Sequence, residues 1–448
     1  MANVRGLIWK FAMPLAALGL AGAAEAKKPR PVAPAVVPPA VVLPVVPQQP
    51  GSVFNFYAVR QGAPVWFRAA GIGAPEKLAA ILRRATVDGL TIAPQLAAEA
   101  DAAIMAAKSA DPATVQAADR RLSTVWVTYV QKLKSPIPGM IYGDPSVRST
   151  APRPDQILRE AANAASLSQH LDQVSAVNPL YSALRDAALK TANPADGVAA
   201  GRIAANLDRV RALPADGRFV VVDAAGARLW MYENGKPIDS MKVIVGKLDS
   251  PTPMIASMIH YATFNPYWHV PDNLARRIIA GNVLKKGSGY LKERGYQIVS
   301  EWSNTATILP ADSVDWKGVA AGTVEVKVRQ LPGGNNSMGR IKFPFPNGEG
   351  IYLHDTPEKA LFAKTQRTLS NGCIRLEDAR RFAGWLMGSM PQPASSDAEQ
   401  HVRLPRSVPV FVTYITAQPS GDHVTFINDV YGRDGVPAPG SQVAAALR

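Results

Sequence analysis

The 448-residue sequence is poor in cysteine, because it contains only Cys373. A single thiol excludes an internal disulfide, so no covalent cross-link within the chain holds its fold together. After residue 26 the sequence also lacks an apolar run of the roughly 20 residues that span a bilayer, which excludes a later transmembrane helix. Histidine is scarce as well, and its six copies leave few candidates for an imidazole base.

The first 26 residues have the composition of an export signal. Arg5 and Lys10 precede an apolar stretch from Phe11 to Ala24, and the stretch ends in a small-x-small pattern that a signal peptidase cleaves. Residues 1–26 are therefore predicted to be a signal peptide, with an uncleaved anchor as the alternative. An exposed free thiol is a liability in an oxidising compartment, so we expect Cys373 to be kept for its chemistry.

Residues 27–52 are predicted to be a linker, since Pro29 to Pro50 is rich in proline, valine and alanine. This composition favours extended polyproline II over a packed core, although a proline-rich ligand for a partner domain stays open. From 53 to 214, helical spacing of apolar residues predicts an α-helical scaffold with no metal-ligand spacing or glycine-rich phosphate loop. The predicted helices are Pro75 to Ala85, Ala93 to Ser109, Pro112 to Lys134, Pro154 to His170, Pro179 to Thr191 and Gly197 to Leu213.

The pattern changes to β-rich at Gly217. Asn234-Gly235 lies between two short runs of β-branched and aromatic residues, which is a strong hairpin signal. The predicted strands are Phe219 to Asp223, Arg228 to Tyr232, Ser240 to Val245, Met258 to Phe264, Val324 to Val328, Gly350 to His354 and Val408 to Ile415. We therefore expect an α+β protein, with a β-rich domain at 215–416 and a C-terminal extension at 417–448.

Cys373 is predicted to lie on a turn that leads into a helix from Leu376 to Met387. Unsatisfied N–H groups at a helix start favour a thiolate, and the N–H groups of Gly372 and Cys373 are candidates for an oxyanion hole. A thiol nucleophile also needs a base, and His354 is the best placed histidine because it ends a predicted strand. A structural histidine that caps a turn is the competing interpretation.

His354-Asp355-Thr356, followed by Ser370-Asn371-Gly372-Cys373-Ile374-Arg375-Leu376, resembles the catalytic signature of the L,D-transpeptidases. Further blocks resemble the large periplasmic branch of that family; they are 206–211, Val245-Gly246-Lys247 with Thr252-Pro253, Asn265-Pro266-Tyr267-Trp268 with Val270-Pro271, 339–343 and 429–432. The resemblance implies a periplasmic enzyme with an N-terminal helical scaffold. Many members have glycine where this chain has Asp355, but the backbone carbonyl of Asp355 can still accept from the imidazole. No room is seen between Ser149 and Gly201 for the peptidoglycan-binding module that the branch often carries.

The resemblance implies that Cys373, activated by His354, attacks a tetrapeptide stem of peptidoglycan and releases its terminal D-alanine. A neighbouring stem amine then resolves the thioester into a 3-3 cross-link, without a cofactor or a metal. The same residues would serve a hydrolase that cuts 3-3 links or wall-lipoprotein links. A non-catalytic wall-binding scaffold, which a carbapenem would not acylate, also stays open. A papain-like protease is disfavoured because its cysteine precedes its histidine in the chain.

The remaining candidate site residues have less specific roles. By resemblance Arg375 holds the site together or meets a substrate carboxylate, and Ser370 donates to backbone or assists the imidazole, while Asp355 orients it. Four further residues could line the cleft, and plain packing is the alternative role for each of them. They are Tyr352, Asn336, Trp268 and Lys342. Since long insertions are often lids, the glycine-rich and basic segment from Asp272 to Gly334 is expected to cover the site and exclude water.

The formal net charge of +14 suits an anionic wall polymer as the partner. Nucleic acid is not expected, because export removes the opportunity and no recognisable binding motif is present. Peptidoglycan stem peptides are therefore the expected substrate. Wall-synthesis proteins as partners, and the oligomeric state, stay open.

Overall fold

The computed structural model describes residues 51–109, 111–191, 197–303, 305–390 and 395–435. The predicted signal peptide lies outside these ranges, as do nearly all of the predicted linker and the end of the C-terminal extension. Within the described ranges, none of the helices combines the length and the apolar character needed to cross a bilayer.

The first part of the described chain is a helical region. Its helices are α1 Val53–Val59, α2 Ala74–Arg84, α3 Ala93–Ala106, α4 Pro112–Leu133, α5 Pro154–Asn163, α6 Leu167–Ala176, α7 Pro179–Thr191 and α8 Gly197–Val210. Proline occupies the first turn of α2, α3, α4 and α5, where its missing N–H costs no hydrogen bond. The single helix expected from Pro154 to His170 is wrong, because the backbone is extended at Ala164 and Ser166 caps the start of α6.

Asp119 organises the centre of the helical region. This carboxylate on α4 is buried and accepts hydrogen bonds from the backbone N–H of Val65 (2.9 Å), Trp66 (2.8 Å) and Phe67 (3.2 Å), and from the Tyr57 hydroxyl. A buried charge is tolerated when donors surround it in this way. Asp119 therefore joins α1, the loop before α2 and α4 into one core.

The later part of the chain is dominated by strands. They are β1 Met140–Tyr142, β2 Phe219–Asp223, β3 Arg228–Glu233, β4 Lys236–Gly246, β5 Met254–Phe264, β6 Trp268–His269, β7 Tyr296–Val299, β8 Ile308–Leu309, β9 Lys327–Gln330, β10 Ile341–Pro344, β11 Tyr352–His354, β12 Thr368–Ser370, β13 Ile374–Leu376, β14 Gln400–Thr413, β15 Ala417–Ser420 and β16 His423–Phe426. The predicted hairpin is confirmed: β3 pairs with β4 through Asn234 and Gly235, whose φ angles are 52° and 70°. Such positive angles are required by the tight turn that Asn-Gly favours. Only residues 327 and 328 of the predicted strand Val324 to Val328 lie in β9.

The main sheet closes on itself. Its strands pair in the order β5-β10-β11-β13-β4-β3-β2-β14, and β14 pairs back onto β5. The long strands β5 and β14 make this closure, with nine paired positions from Gln400↔Phe264 to Val412↔Ile255. β1, which the helical region supplies, adds to β5 in parallel, and β12 adds to β4.

An insertion between β5 and β10 forms a small body with its own core. It contains β6 to β9, paired in the order β6-β9-β7-β8, and the helices α9 Asp272–Leu274, α10 Gly281–Lys286, α11 Gly289–Glu293 and α12 Trp316–Ala321. A π-helical turn at Ala275–Ala280 joins α9 to α10. Buried side chains such as Ile279, Tyr296 and Val328 pack together inside it. The segment predicted as a lid is therefore a folded unit.

Helix α8 fastens the helical region to the closed sheet. Arg209 donates to the Asp434 carboxylate (2.8 Å) and to the Tyr414 carbonyl (3.0 Å), and Arg202 also pairs with Asp434 (2.9 Å). Asn206 exchanges hydrogen bonds of 2.7 Å with Thr416. The helical core also continues without a break onto buried side chains of the sheet, among them Phe219 and Phe411. The two regions therefore share one interior.

The first residue predicted for the helix after the cysteine, Leu376, is wrong. Residues Ile374–Leu376 form β13, and the helix, α13, is Ala379–Met387, with Asp378 as its cap. Apolar residues at 374 and 376 suit either structure by themselves. The pairing of β13 between β11 and β4 decides for the strand.

Candidate active site

Three neighbouring strands bring the candidate site residues into one row. His354 on β11 pairs with Lys342 on β10 and with Arg375 on β13. Paired residues in a sheet present their side chains on the same face, as do residues two apart on one strand. Tyr352 and Cys373, two positions before His354 and Arg375, therefore belong to the same face. The turn before β13 thus carries the thiol beside the strand that carries the imidazole.

His354 is held in one orientation and one tautomer. Its side chain is buried, and Nδ1 lies 2.5 Å from the backbone oxygen of Asp355. A carbonyl can only accept, so Nδ1 carries the proton and Nε2 keeps a free lone pair. Burial, with a further contribution from the nearby Arg375 charge, lowers the pKa of His354 to about 3. The imidazole is therefore neutral at physiological pH and able to accept a proton.

Cys373 is partly buried, and polar groups contact its sulfur. The thiol donates to the Gly350 carbonyl at 3.6 Å, and the Tyr352 N–H donates to the sulfur. Burial raises the pKa of Cys373 above its ordinary value, while the Tyr352 N–H and the charges of Arg375 and Lys342 act in the opposite direction. Cys373 is therefore a neutral thiol at rest, on the turn next to the strand that carries the neutral imidazole of His354.

This differs from the thiolate expected at a helix start. The N-terminus of α13 lies several residues beyond Cys373, and a strand separates the two. The stabilisation that a helix start gives to an anion fades within its first turn. Burial consequently outweighs the nearby donors, and Cys373 rests as the thiol.

Ser370 shapes the turn that presents the cysteine. Its hydroxyl donates to the Cys373 carbonyl (2.5 Å) and accepts from the Gly372 N–H (3.2 Å). Gly372 has a φ of 113°, which side-chain-bearing residues rarely adopt. Since Ser370 already receives the Gly372 N–H, this donor is engaged within the turn, and the Cys373 N–H is the better placed of the two expected oxyanion donors.

Asp355 and Arg375 are tied into their surroundings by ion pairs and hydrogen bonds. The Asp355 carboxylate accepts from the Arg340 N–H (2.9 Å) and from Lys359 (2.8 Å), so its carbonyl is fixed against His354. Arg375 pairs with the carboxylate of Glu358. The guanidinium is therefore already occupied by an internal carboxylate.

Lys342 and Tyr352 lie together at the site. The ammonium of Lys342 is 5.2 Å from the centre of the Tyr352 ring, a cation–π arrangement. Burial lowers the pKa of Lys342, with nearby Glu399 and Cys373 opposing that change. Both side chains occur on the face that carries Cys373 and His354, and their role in lining a cleft stays a prediction.

Asn336 and Trp268 have structural surroundings instead. Asn336 is buried, and its amide donates to the carbonyls of Pro266, Gln330 and Leu331 and accepts from the Met338 N–H. Trp268 packs on the core of the insertion, with its ring centre 6.3 Å from that of Tyr296. Both side chains therefore stabilise the base of the insertion.

The sequence did not single out the side chains that join the insertion to the cysteine turn. Arg277, on the π-helical turn, donates to the Asn371 side chain at 2.9 Å. Lys247, which follows β4, donates its N–H to the Ser370 carbonyl at 3.0 Å. Lys247 stood in a block with family resemblance, and Arg277 lay in the basic segment that was expected to cover the site, but neither residue was singled out by itself. Among the described residues, no cluster of three or more His, Cys, Asp and Glu side chains has a geometry suited to a metal ion.

Comparison with known proteins identifies two domains. Residues 217–412 match the L,D-transpeptidase catalytic domain, and residues 51–187 match the Scaffold domain. A putative L,D-transpeptidase of Haemophilus influenzae is 26% identical over 319 residues, which are 69% of this chain and 64% of the relative. The chain thus spans slightly under two thirds of that curated relative.

Solved structures give a weaker likeness. An L,D-transpeptidase from Mycobacterium smegmatis is 14% identical with a TM-score of 0.23, over 44% of this chain and 59% of that one. L,D-transpeptidase 3 from Mycobacterium tuberculosis is 13% identical with a TM-score of 0.22, over 44% and 62%. The domain matches are the stronger result: residues 217–412 form an L,D-transpeptidase catalytic domain, and residues 51–187 form a Scaffold domain.

Proposed function

We propose that this protein is a cysteine-dependent peptidoglycan L,D-transpeptidase that forms 3-3 cross-links. One observation carries the proposal: the Nδ1 proton of His354 is bound to the Asp355 carbonyl, which leaves Nε2 as a base beside the cysteine turn. The domain match supports the reaction class. Donor and acceptor are stem peptides, and neither a cofactor nor a metal takes part.

The first half-reaction moves one proton and exchanges one acyl group. Nε2 of His354 takes the Cys373 proton as the sulfur attacks the carbonyl that joins the third stem residue to the terminal D-alanine. The oxyanion that forms is stabilised by the Cys373 N–H and by the nearby charge of Lys342. When the C–N bond breaks, the imidazolium returns its proton to the amine of D-alanine, which leaves a neutral imidazole and a thioester.

The second half-reaction reverses these proton transfers with a new nucleophile. The side-chain amine of a diamino acid on a neighbouring stem attacks the thioester carbonyl, and His354 accepts the amine proton. The thiolate is expelled, takes back that proton, and the cross-link is complete. The acyl-enzyme conserves the energy of the broken peptide bond, so the reaction needs no ATP.

Water competes with the acceptor amine at the thioester, so the enzyme must limit access to Cys373. The folded insertion is suited to this task, because Arg277 at its base contacts the turn that carries the nucleophile. The overall charge of +14 favours stems that carry carboxylates. The predicted signal peptide, residues 1–26, would deliver the enzyme to the periplasm, where its substrate is located.

The test is incubation of the mature protein with purified tetrapeptide-bearing muropeptides, followed by mass spectrometry. A dimer that has lost one alanine, together with an acyl adduct on Cys373, is expected. Cleavage of pre-formed 3-3 dimers to monomers, without dimer formation, would instead identify a hydrolase with the same residues. No adduct and no change in the muropeptides would identify a binding scaffold.

A further inference from the structure

Two cations beside the cysteine turn, Lys247 and Arg277, form long ion pairs with the same carboxylate. The Asp249 carboxylate lies 3.7 Å from the Lys247 ammonium and 3.9 Å from the Arg277 guanidinium. Both separations exceed the 2.7–2.9 Å that is typical of a charge-assisted hydrogen bond. The three side chains are also substantially exposed, with 39%, 48% and 62% of the surface of Lys247, Arg277 and Asp249 accessible. Exposed ion pairs of this kind contribute little stability.

The surrounding contacts bring this pair of cations close to the nucleophile. Arg277 holds the side chain of Asn371, two residues before Cys373, through a bond of 2.9 Å. The backbone N–H of Lys247 is bound to the Ser370 carbonyl, and Thr252 donates to the Gly372 carbonyl at 2.7 Å. The loop from 247 to 252 and the base of the insertion therefore both border the turn that carries Cys373.

Within the described part of the chain, the two cations whose charges act on Cys373 are already engaged. Arg375 pairs with Glu358, and Lys342 lies against the Tyr352 ring. The second guanidinium nitrogen of Arg277 and the Lys247 ammonium, by contrast, face a carboxylate that is too distant for a good hydrogen bond. An incoming carboxylate could approach both cations more closely than Asp249 does, and it would replace a weak interaction.

We propose that Lys247 and Arg277 form a subsite that binds a carboxylate of the donor stem peptide in place of Asp249. This inference rests on the proposed function, since it assigns a substrate group to the same active site. The guanidinium fork suits a planar carboxylate, and the bond to Asn371 keeps Arg277 oriented toward the cysteine turn. Because Arg277 belongs to the insertion, a bound stem would also hold the insertion against the turn.

The experiment compares three donor tetrapeptides of identical sequence. One has all carboxylates free, one has the terminal D-alanine carboxylate converted to an amide, and one has the diamino acid carboxylate converted to an amide. Acylation of Cys373 is followed by mass spectrometry for the wild-type protein and for the Lys247→Gln and Arg277→Gln variants. The wild type is expected to react with one of the amides about tenfold less efficiently in kcat/KM, which identifies the carboxylate that is bound.

The variants should lose this discrimination, because each lacks one of the two cations. Lys236→Gln, an equal charge change at an exposed position at the start of β4, should retain it. Asp249→Asn should lower KM for the free peptide, since it removes the internal competitor. Equal rates of iodoacetamide alkylation in all variants would verify that Cys373 itself is unchanged.

Wild-type protein that acylates with all three peptides at equal efficiency would overturn the subsite and leave the proposed function intact. Discrimination that survives in both Lys247→Gln and Arg277→Gln would do the same. If none of the peptides acylates Cys373, the proposed function fails and the subsite fails with it.

Discussion

In the Scaffold domain, Asp119 is buried and accepts hydrogen bonds from three consecutive backbone N–H groups and a tyrosine hydroxyl. In the catalytic domain, His354 is buried to a similar degree, but its bond from Nδ1 to the Asp355 carbonyl leaves a basic nitrogen uncommitted. The carboxylate has used its hydrogen-bonding capacity to fix the positions of chain segments. The imidazole has used only half of its capacity, and the other half is available for a reaction.

Structural and reactive polar groups in this protein differ in how much of their hydrogen-bonding capacity is used. Asn336 was predicted either to line the cleft or to be a packing residue, and its amide is bound by backbone on every side, as Asp119 is. Lys247 and Arg277 were not singled out from the sequence, yet their charges are only loosely matched. We therefore expect incomplete satisfaction next to Cys373 to mark function better than sequence position does.

The largest effect is expected for Cys373→Ala. Loss of the nucleophile should reduce cross-link formation by a factor on the order of 10³ or more, because no other thiol exists in the chain. The free energy of unfolding, measured by denaturant titration, should change by less than about 1 kcal/mol, since the thiol makes only weak hydrogen bonds, to the Gly350 carbonyl and from the Tyr352 N–H. A large loss of stability would contradict the distinction between the two kinds of polar group.

His354→Gln should slow acylation of Cys373 by roughly 10²- to 10⁴-fold, the usual contribution of a general base. Glutamine can still donate to the Asp355 carbonyl, so the fold should persist. Mass spectrometry of the adduct over time measures the rate, and circular dichroism controls for folding. Acylation at the wild-type rate would assign His354 to the structural class of Asp119.

Asp119→Asn tests the structural side of the comparison. The amide keeps only one acceptor oxygen, so the donors on the other oxygen, either Tyr57 and Val65 or Trp66 and Phe67, lose their partner, at a cost of about 3 kcal/mol. Thermal and denaturant unfolding should show this loss, whereas acylation of Cys373 in the folded fraction should stay unchanged. A parallel fall in acylation rate at full folding would mean that the Scaffold domain acts on the chemistry.

Asp434→Asn addresses the junction between the two domains. The substitution leaves Arg202 and Arg209 without their shared carboxylate, and removing one partner of a buried ion pair is destabilising, here by about 2 kcal/mol. Limited proteolysis should then cut near α8 earlier than in the wild type. Lys190→Ala, which removes a fully exposed pair with Asp422, is the matched control and should have little effect.

The smallest effect is expected for pH, and it reports on the resting state of the Cys373–His354 pair. The pKa of His354 is lowered to about 3 and that of Cys373 is raised, so neither group titrates between pH 5 and pH 8. Iodoacetamide alkylation should therefore stay slow across this interval and accelerate only above pH 9, as thiolate forms. A plateau of fast alkylation at acidic pH would reveal a thiolate–imidazolium pair instead.

The same lowered pKa affects stability in a defined direction. An unfolded histidine binds a proton near pH 6.5, whereas the buried imidazole of His354 does not until about pH 3. The stability that neutral burial contributes is present above pH 6.5 and is lost progressively as the pH falls toward 3. The pH dependence of the unfolding midpoint should thus be shallower in His354→Gln than in the wild type.

Local patterns in the sequence were sufficient to predict several features of the fold and of the site. Proline in first turns marked the starts of α2 to α5, and Asn234-Gly235 marked the hairpin of β3 and β4, because these residues restrict the backbone by themselves. The order His354, Ser370, Gly372, Cys373 and Arg375 carried the resemblance to the L,D-transpeptidases, and the domain match confirms that resemblance for residues 217–412. The orientation of His354 by the Asp355 carbonyl was also expected and is observed.

Other features depended on contacts between distant segments. The apolar alternation at 374–376 could not show that β13 pairs with both β11 and β4, so the helix was started too early and a thiolate was expected. No local pattern in the sequence could show that β14 closes the sheet onto β5. The hydrogen bond from Arg277 to Asn371 was equally hidden, because 94 positions of sequence separate the two residues.

The amino-acid sequence by itself determined which chemical groups this protein has, because residue type fixes a thiol, an imidazole or a charge and short motifs fix the adjacent backbone. The tertiary structure alone decided their state. Burial sets the pKa values of Cys373 and His354, and strand register sets which charges face them. Both quantities arise from residues that are far apart in the chain.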